Sequence, residues 1–571
     1  MTVEEIRKEI IGASLKCGGH LASSLGAVEI AYSLARVFDP FKDRIVWDVG
    51  HQAYAWKILT GRSGDFGTLR HLDGVAPFPL PSESAADAAV SGHAGVSVSV
   101  AAGIAAARDR RGGDEHVVAV VGDSAFANGC AFEAMNNLAS STKKLIIVLN
   151  DNEMSISRPV GAIARLLGRL LASVGYNRAK SAAESAGHRL GLTFLREAYH
   201  RLESRVKGLF LGNRFFEQFG ARYIGPIDGH SVAALIAAFT VAKNDKRSVV
   251  VHVVTKKGRG YGPAEADPET WHGIPAGGPC AAKRGWSEVF GEILSEKARK
   301  DRRIVALTAG MKTGTGLAGF AKEFPDRFHD VGIAEGHLVA FAAGLAAGGM
   351  RPVVAVYSTF LQRAIDQVLH DVAIAKLPVV FCVDRSGLVG ADGVTHQGLY
   401  DYAMLKGVPN LRIVQPCDAV EFELLFSEAL KRQGPTVIRY PRGEVGEPLN
   451  VSEDGLSVQV MNATAPVQVW ATGDQLAKAM EVAERTGAGV VYARSLKPFD
   501  AQLLDRQRAE GKRIVSLENG CVVGGFGETI GAELRFGWPD EFIPHGSVKE
   551  LEERYALTVE AIAAKILERR C

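Results

Sequence analysis

The chain has 571 residues, 47% of them apolar and 23% charged, and its 66 Lys and Arg residues almost cancel 64 Asp and Glu residues, for a formal net charge of +2. Such near-neutrality argues against nucleic acid or an anionic membrane as a partner held through bulk charge. At roughly 100–200 residues per domain, the length suits about three to four domains and is enough to bury several full cores.

The opening segment MTVEEIRKEIIGASLK is charged and helical in pattern, with Ile6, Ile10 and Ile11 on one face, and does not read as a signal peptide. Further on, VVAVV (117–121) is followed by a polar turn, the helical FEAMNNLAS, and LIIVLN (145–150). The segment from about 160 to 220 is helical but irregular, rich in Arg and Leu, and reads as an excursion from the first sheet. Similar apolar runs recur at 248–255, 352–357, 378–384, 466–473, 489–494 and 513–518. Short, continuously apolar strands alternating with helices predict an α/β fold of parallel or mixed sheets covered by helices on both faces. The longest apolar stretch, Leu338 to Met350, ends at Arg351 and is too short to span a bilayer. Two breaks, the Gly/Pro-rich 273–285 and the polar 444–455, divide the chain into three expected domains, near 1–280, 281–455 and 456–571. The seven cysteines (Cys17, Cys130, Cys280, Cys382, Cys417, Cys521, Cys571) form no CxxC pair, and no His cluster has zinc-ligand spacing. They read as free thiols of a reducing, cytoplasmic compartment.

The chemistry begins at Gly122-Asp123-Ser124, an acid in a small-residue turn directly after a strand. In open α/β sheets that edge is where ligands bind. The following strand ends in Asn150-Asp151-Asn152, so neighbouring strand ends can bring Asp123 and Asn152 to one hard cation, with the carbonyl of Met154 as a further oxygen ligand. The amides from Gly122 to Ala125 suit a diphosphate. Taken alone the pattern is weak, because an Asp in this place more often caps a helix.

The surrounding stretch, VVGDSAFANGCAFEAMNNLASSTKKLIIVLNDNEMSIS, resembles the thiamine-diphosphate signature, and AFEAMNN and LNDNEMSIS resemble the 1-deoxy-D-xylulose-5-phosphate synthase family of the transketolase superfamily. Ten further blocks match in order: 18–30, 47–54, 57–62, 223–230, 255–268, 330–337, 355–367, 391–398, 439–443 and 524–528. The resemblance implies a transketolase-like fold, thiamine diphosphate and Mg²⁺ as cofactors, pyruvate and an aldehyde phosphate as substrates, and a homodimer. It also implies roles for individual residues. Glu335 would hydrogen-bond the cofactor's pyrimidine, where a lone acid would serve only as a helix start. Phe360 would stack on that ring and Ile156 would hold the cofactor bent. Lys257, Gly92 and His93 would stand by the cofactor. His20, His51 and His396 match proton-transfer histidines, with His272 a weaker candidate; a lone histidine is more often structural. Arg385 and Arg442 match phosphate-binding arginines, whose planar fork suits phosphate, and Tyr357, Arg363 and Asp392 line the same pocket. The third domain carries no matched catalytic group, which suggests a structural and dimerising role.

The chain also departs from the family pattern. Ser124 stands where the family has glycine, which would be costly if the turn required φ > 0. GHSSTS reads Gly92-His93-Ala94-Gly95-Val96-Ser97 and loses hydroxyls. YPHK reads Tyr54-Ala55-Trp56-Lys57, and AEQH reads Ala334-Glu335-Gly336-His337. These changes are expected to cluster near the cofactor. They keep open a different aldose phosphate, transketolase-type ketol transfer, and a catalytically weak regulatory paralogue.

Overall fold

Apolar runs without alternation are what a strand buried on both faces requires, and they form the centres of three sheets. A computed structural model describes residues 1–152, 211–279, 284–449, 451 and 455–568. The expected helical excursion lies outside the described residues, apart from a helix at Leu211–Gln218 in its last part. The chain forms two compact units, one of Met1–Leu69 and Gly74–Cys280, the other of Arg70–Asp73 and Ala281–Cys571.

The first unit is built on five parallel strands, β1 (Arg44–Trp47), β2 (Val117–Gly122), β3 (Ile146–Asp151), β4 (Ala221–Asp228) and β5 (Ser248–Val254), in the order β1-β2-β3-β5-β4. One face of the sheet, with Val118, Val120, Ile146, Val148, Val249 and Val251, shares a core with Ile6 and Ile10 of the first helix, Val3–Cys17. Ile11 of that helix is only partly buried. The helix starts where it does because Thr2 and Glu5 cap it reciprocally: Thr2 Oγ1 accepts from Glu5 N (3.2 Å) and Glu5 Oε2 accepts from Thr2 N (2.7 Å).

The second unit holds two sheets. Its first contains β6 (Ile304–Thr308), β7 (Phe328–Asp330), β8 (Arg351–Tyr357), β9 (Val380–Asp384), β10 (Arg412–Val414) and β11 (Thr436–Arg439). Its second contains β12 (Val458–Met461), β13 (Val467–Thr472), β14 (Gly489–Ala493), β16 (Arg513–Cys521) and β17 (Leu534–Trp538), in the order β12-β14-β13-β16-β17. One short strand of the last segment, β15 (Ser495–Lys497), leaves that sheet and pairs antiparallel with β10, so the first sheet runs β15-β10-β11-β9-β8-β6-β7. A single core continues from Leu307, Val354 and Phe381 to Trp470, Val491 and Ile514. The long apolar stretch of the sequence belongs to the helix Glu335–Ala347. No helix among the described residues is long and apolar enough to cross a membrane.

A buried ion pair ties Arg494, directly after β14, to the helix Ala419–Lys431 of the preceding sheet. Arg494 Nε and Nη2 donate to the two oxygens of Glu421 at 2.8 and 2.9 Å, and Tyr492 Oη donates to the same carboxylate at 3.2 Å. Burial still raises the Glu421 pKa, opposed by Arg494. Truncation by Arg494→Ala would leave a buried acid without its cation, at a cost of about 3–5 kcal/mol. The expected result is a lower urea midpoint for the second unit's transition, with less change in the companion variant Glu421→Gln/Arg494→Met.

Candidate active site

All strands of the first sheet run the same way, so their carboxyl ends gather polar residues along one edge. Gly122 pairs in register with Asn150, and the next residues of both strands emerge side by side, Asp123 after β2 and Asp151 and Asn152 at the end of β3. Asp123 is buried, and its pKa is raised by loss of water and by the neighbouring Asp151. Asp151 is engaged from behind by His252 (Nε2 to Oδ2, 3.0 Å), whose Nδ1 is hydrogen-bonded to Tyr223 Oη at 2.7 Å. Asn150 ties the edge together, donating from Nδ2 to Gln52 Oε1 (2.8 Å) and accepting at Oδ1 from Thr255 Oγ1 (2.6 Å). Two neighbouring buried carboxylates call for a cation, and Asp123 with Asn152 and carbonyl or diphosphate oxygens is a donor set Mg²⁺ takes. Among the described residues no cluster of three His, Cys, Asp or Glu side chains offers an alternative metal site.

The loop after β1 supplies a second wall. Asp48 accepts from the backbone N–H of Gly95 (2.8 Å) and of Ser97 (3.0 Å), fastening the segment that follows Gly92 and His93. Val49 is held at φ 58°, an unusual conformation for a β-branched residue, and the turn delivers His51. Gly95 is required here: at φ 81°, a Cβ would lie 2.5 Å from the Asn128 side chain. Buried side-chain atoms without a hydrogen-bond partner among the described residues include Ser97 Oγ, Ser124 Oγ, His51 Nδ1 and Gln52 Nε2. Such orphaned polar groups fit a polar ligand at this edge.

Three imidazoles cluster, with ring centroids 6.3 Å apart for His20–His51, 5.5 Å for His51–His272 and 5.9 Å for His20–His272. Loss of water, with His20 and Lys257 nearby, pushes the His51 pKa well below its usual value; the same loss, with Lys257, His51 and His20 nearby, does so for His272. Both rings are therefore neutral at pH 7. Burial also lowers the ammonium pKa of Lys257, which follows β5, against the pull of Asp123 and Glu269. His272, the weaker sequence candidate, thus joins the two stronger ones, held by a hydrogen bond between Nδ1 and Ser23 Oγ at 3.0 Å.

In the second unit, Glu335 opens its helix, buried, with its carboxylate 4.0 Å from Arg363 Nε, beyond hydrogen-bond distance. Burial raises its pKa against the opposing Arg363. Phe360 stacks on Tyr357 (5.7 Å, 27°) and meets His396 edge-on (5.6 Å, 78°). Arg385 follows β9 in a left-handed conformation (φ 58°), with its guanidinium 3.8 Å from the Tyr357 ring centre. Arg442 donates to Asp392 Oδ2 at 3.2 Å, and Arg70 pairs with Asp392 Oδ1. Arg70 escaped the sequence analysis: it stands 322 residues before its partner, and only the folded chain assigns it to this unit.

The departures sort themselves by position. Ser124 lies in the helical turn Asp123–Phe126 and is not among the positive-φ residues, so the serine carries no backbone strain. Trp56, expected near the cofactor, is core: fully buried, packed on Trp47 and donating to Ala86 O at 3.2 Å. At Gly336 the space beside the helix start is taken by Gln367, whose Oε1 would lie 3.4 Å from a Cβ. Met154 and Ile156 lie outside the described residues.

A family model described as 1-deoxy-D-xylulose-5-phosphate synthase matches residues 1–255, one for the transketolase pyrimidine-binding domain matches 282–448, and one for the transketolase C-terminal domain matches 457–562. The 1-deoxy-D-xylulose-5-phosphate synthase of Desulforudis audaxviator is 44% identical over 587 residues, covering 98% of this chain and 92% of that protein. That of Syntrophotalea carbinolica is 45% identical over 592 residues, covering 98% and 93%. The chain belongs to the 1-deoxy-D-xylulose-5-phosphate synthase family. It is a thiamine-diphosphate-dependent transferase of the transketolase type. Within that family, the synthase 2 of Geobacter sulfurreducens is also similar, at 44% identity over 99% of this chain and 95% of that protein.

The neutral imidazoles of this synthase-family site have a consequence for stability. A histidine whose folded pKa lies below its unfolded value of 6.5 takes up a proton on unfolding at acid pH. Its contribution is therefore present above pH 6.5 and is lost as the pH falls below it. Removing one such group by His272→Gln is expected to leave the apoprotein less sensitive to acid between pH 6.5 and 5 than the wild type. Thermal unfolding across that range, compared between the two proteins, checks it.

Proposed function

We propose that the enzyme decarboxylates pyruvate and transfers the two-carbon unit to D-glyceraldehyde 3-phosphate, giving 1-deoxy-D-xylulose 5-phosphate and CO₂. The observation that carries this reading is the gathering of Arg385, Arg442, Arg70, Asp392 and Tyr357 close to Phe360 and His396. Paired arginines are suited to an acceptor's phosphate. The names of the relatives support the same reaction.

When bound, thiamine diphosphate supplies a nucleophilic carbon and an electron sink. In this reading Asp123, Asn152 and the Met154 carbonyl hold Mg²⁺, while the amides from Gly122 to Ala125, with Gly92, His93, Ser97 and Ser124, receive the diphosphate. Ser97 keeps the last hydroxyl of the family pattern and Ser124 adds another, where those at Ala94, Gly95 and Val96 are lost. Lys257 stands beside them, and Ile156 supports the cofactor. Phe360 packs on the pyrimidine. Glu335, its pKa raised by burial, holds a proton at the ring nitrogen. His20, His51 and His396 move protons to and from the substrate oxygens, and burial keeps His51 in its neutral form. Arg385, Arg442, Arg363 and Tyr357 hold the acceptor, with Asp392 orienting the guanidinium groups. We also propose a cytoplasmic homodimer with domains near 1–280, 281–455 and 456–571, a division supported by the three family matches.

Acceptor-dependent release of CO₂ from pyruvate, with a five-carbon deoxyketose phosphate as product, is the expected result with purified enzyme, thiamine diphosphate and Mg²⁺. No CO₂ from cofactor-loaded enzyme would reject the reading. Replacing the buried acid by Glu335→Gln is expected to lower kcat by about 10²–10⁴-fold. Calorimetry should show thiamine diphosphate still binding to that variant. Removing the carboxylate of the cation site by Asp123→Asn is expected to weaken Mg²⁺-dependent cofactor binding by at least ~10–100-fold, also read by calorimetry. Binding at wild-type strength would remove Asp123 from the ligand set.

A further inference from the structure

The loops that carry Arg385 and Arg442 are fastened from behind by residues with no place in the chemistry above. Asp401, buried, takes both prongs of Arg439, the last residue of β11 and three before Arg442 (Nε to Oδ2, 3.1 Å; Nη2 to Oδ1, 2.8 Å). The same carboxylate accepts from the hydroxyl of Ser386 at 2.8 Å, and Ser386 N donates to Tyr440 O at 2.9 Å. The two arginine loops are thereby joined to each other.

The second anchor comes from the other sheet. Asn519 of β16 accepts at Oδ1 from Leu388 N (2.9 Å) and Trp538 Nε1 (3.2 Å), and donates from Nδ2 to Asp474 Oδ2 (2.9 Å). Asp474 accepts from Gln415 Nε2 at 2.6 Å, Gln415 Oε1 accepts from Arg439 Nη1 at 2.7 Å, and Arg439 Nη2 reaches the Asn519 carbonyl at 3.5 Å. These four residues close a ring. Gly387, at φ 91°, lies flat on the Asn519 amide, where any Cβ would collide with it. The fastened residues 386–388 directly follow Arg385, which is held in a left-handed conformation that persists only when its surroundings over-determine it.

We infer that Asn519 and Ser386 are positioning residues for the acceptor's phosphate, holding the Arg385 and Arg442 loops at the spacing that a phosphorylated aldehyde requires. The inference rests on the reading of those two arginines as the phosphate clamp. It gives the last sheet a part in acceptor selection, beyond the structural and dimerising role expected for the third domain.

The test uses the full-length, cofactor-loaded enzyme and compares kcat/KM for D-glyceraldehyde 3-phosphate with that for unphosphorylated D-glyceraldehyde. For Asn519→Ala the expected result is a rise of about tenfold in KM for the phosphorylated acceptor, a matching fall in the phosphate preference, and little change in KM for pyruvate or in cofactor affinity. The milder Ser386→Ala is expected to move the preference the same way by about threefold, and it decides the matter if Asn519→Ala does not fold. Equal losses with both acceptors, or an unchanged preference in a folded variant, would overturn the positioning role. Arg442→Ala is the reference. If it abolishes the preference while the other variants keep it, the clamp stands and this inference falls; if it too keeps the preference, the clamp reading falls and takes the inference with it.

Discussion

A parallel strand buried on both faces can keep a polar side chain within its length only by pairing it, as His252 is paired with Asp151 and Tyr223, so most polar groups stand at or past its end. That constraint organises the molecule. The strands β2, β3 and β5 are apolar along most of their length, and Asp123, Asn152 and Lys257 stand where those strands run out. The same holds for Arg385 after β9 and Arg442 after β11. Because neighbouring strands point the same way, their ends coincide, and residues distant in the chain become neighbours without a dedicated scaffold.

Gathering charge at such an edge has a cost that sets its chemistry. Water is scarce there, so Asp123 and Glu335 are pushed towards their protonated forms, and His51, His272 and Lys257 towards their neutral ones. For Asp123, Glu335 and Lys257 this moves the pKa towards neutrality, which suits a group that passes protons at pH 7. The surrounding hydrogen bonds restrain what electrostatics alone would scatter: Asp48 holds the loop after Gly92, His252 holds Asp151, and Asn519 and Asp401 hold the arginine loops.

The long strands were legible because burial on both faces leaves an unmistakable run of Val, Ile and Leu, as at 117–121, 145–150 and 248–255. Shorter strands were not. Three residues such as Phe328–Asp330 or Ser495–Lys497 carry no period, and the pairing of Ser495–Lys497 with β10 depends on how two sheets share one core. Trp56 shows the opposite error. As a departure from the family pattern between two matched blocks it suggested the cofactor's surroundings, yet the indole is large and apolar and is spent on the core against Trp47.

The amino-acid sequence by itself determined the fold class, the family and the types of residue at the site, since these reside in local runs and in motifs a few residues long. Only the tertiary structure decided which groups meet. Arg70 joins Asp392 from 322 residues away, Asn519 reaches Leu388 across 131, and His272 completes a cluster with His20 and His51. Such pairings depend on where strands end and which loops pack together, and these are properties of the folded sheets that no local pattern encodes.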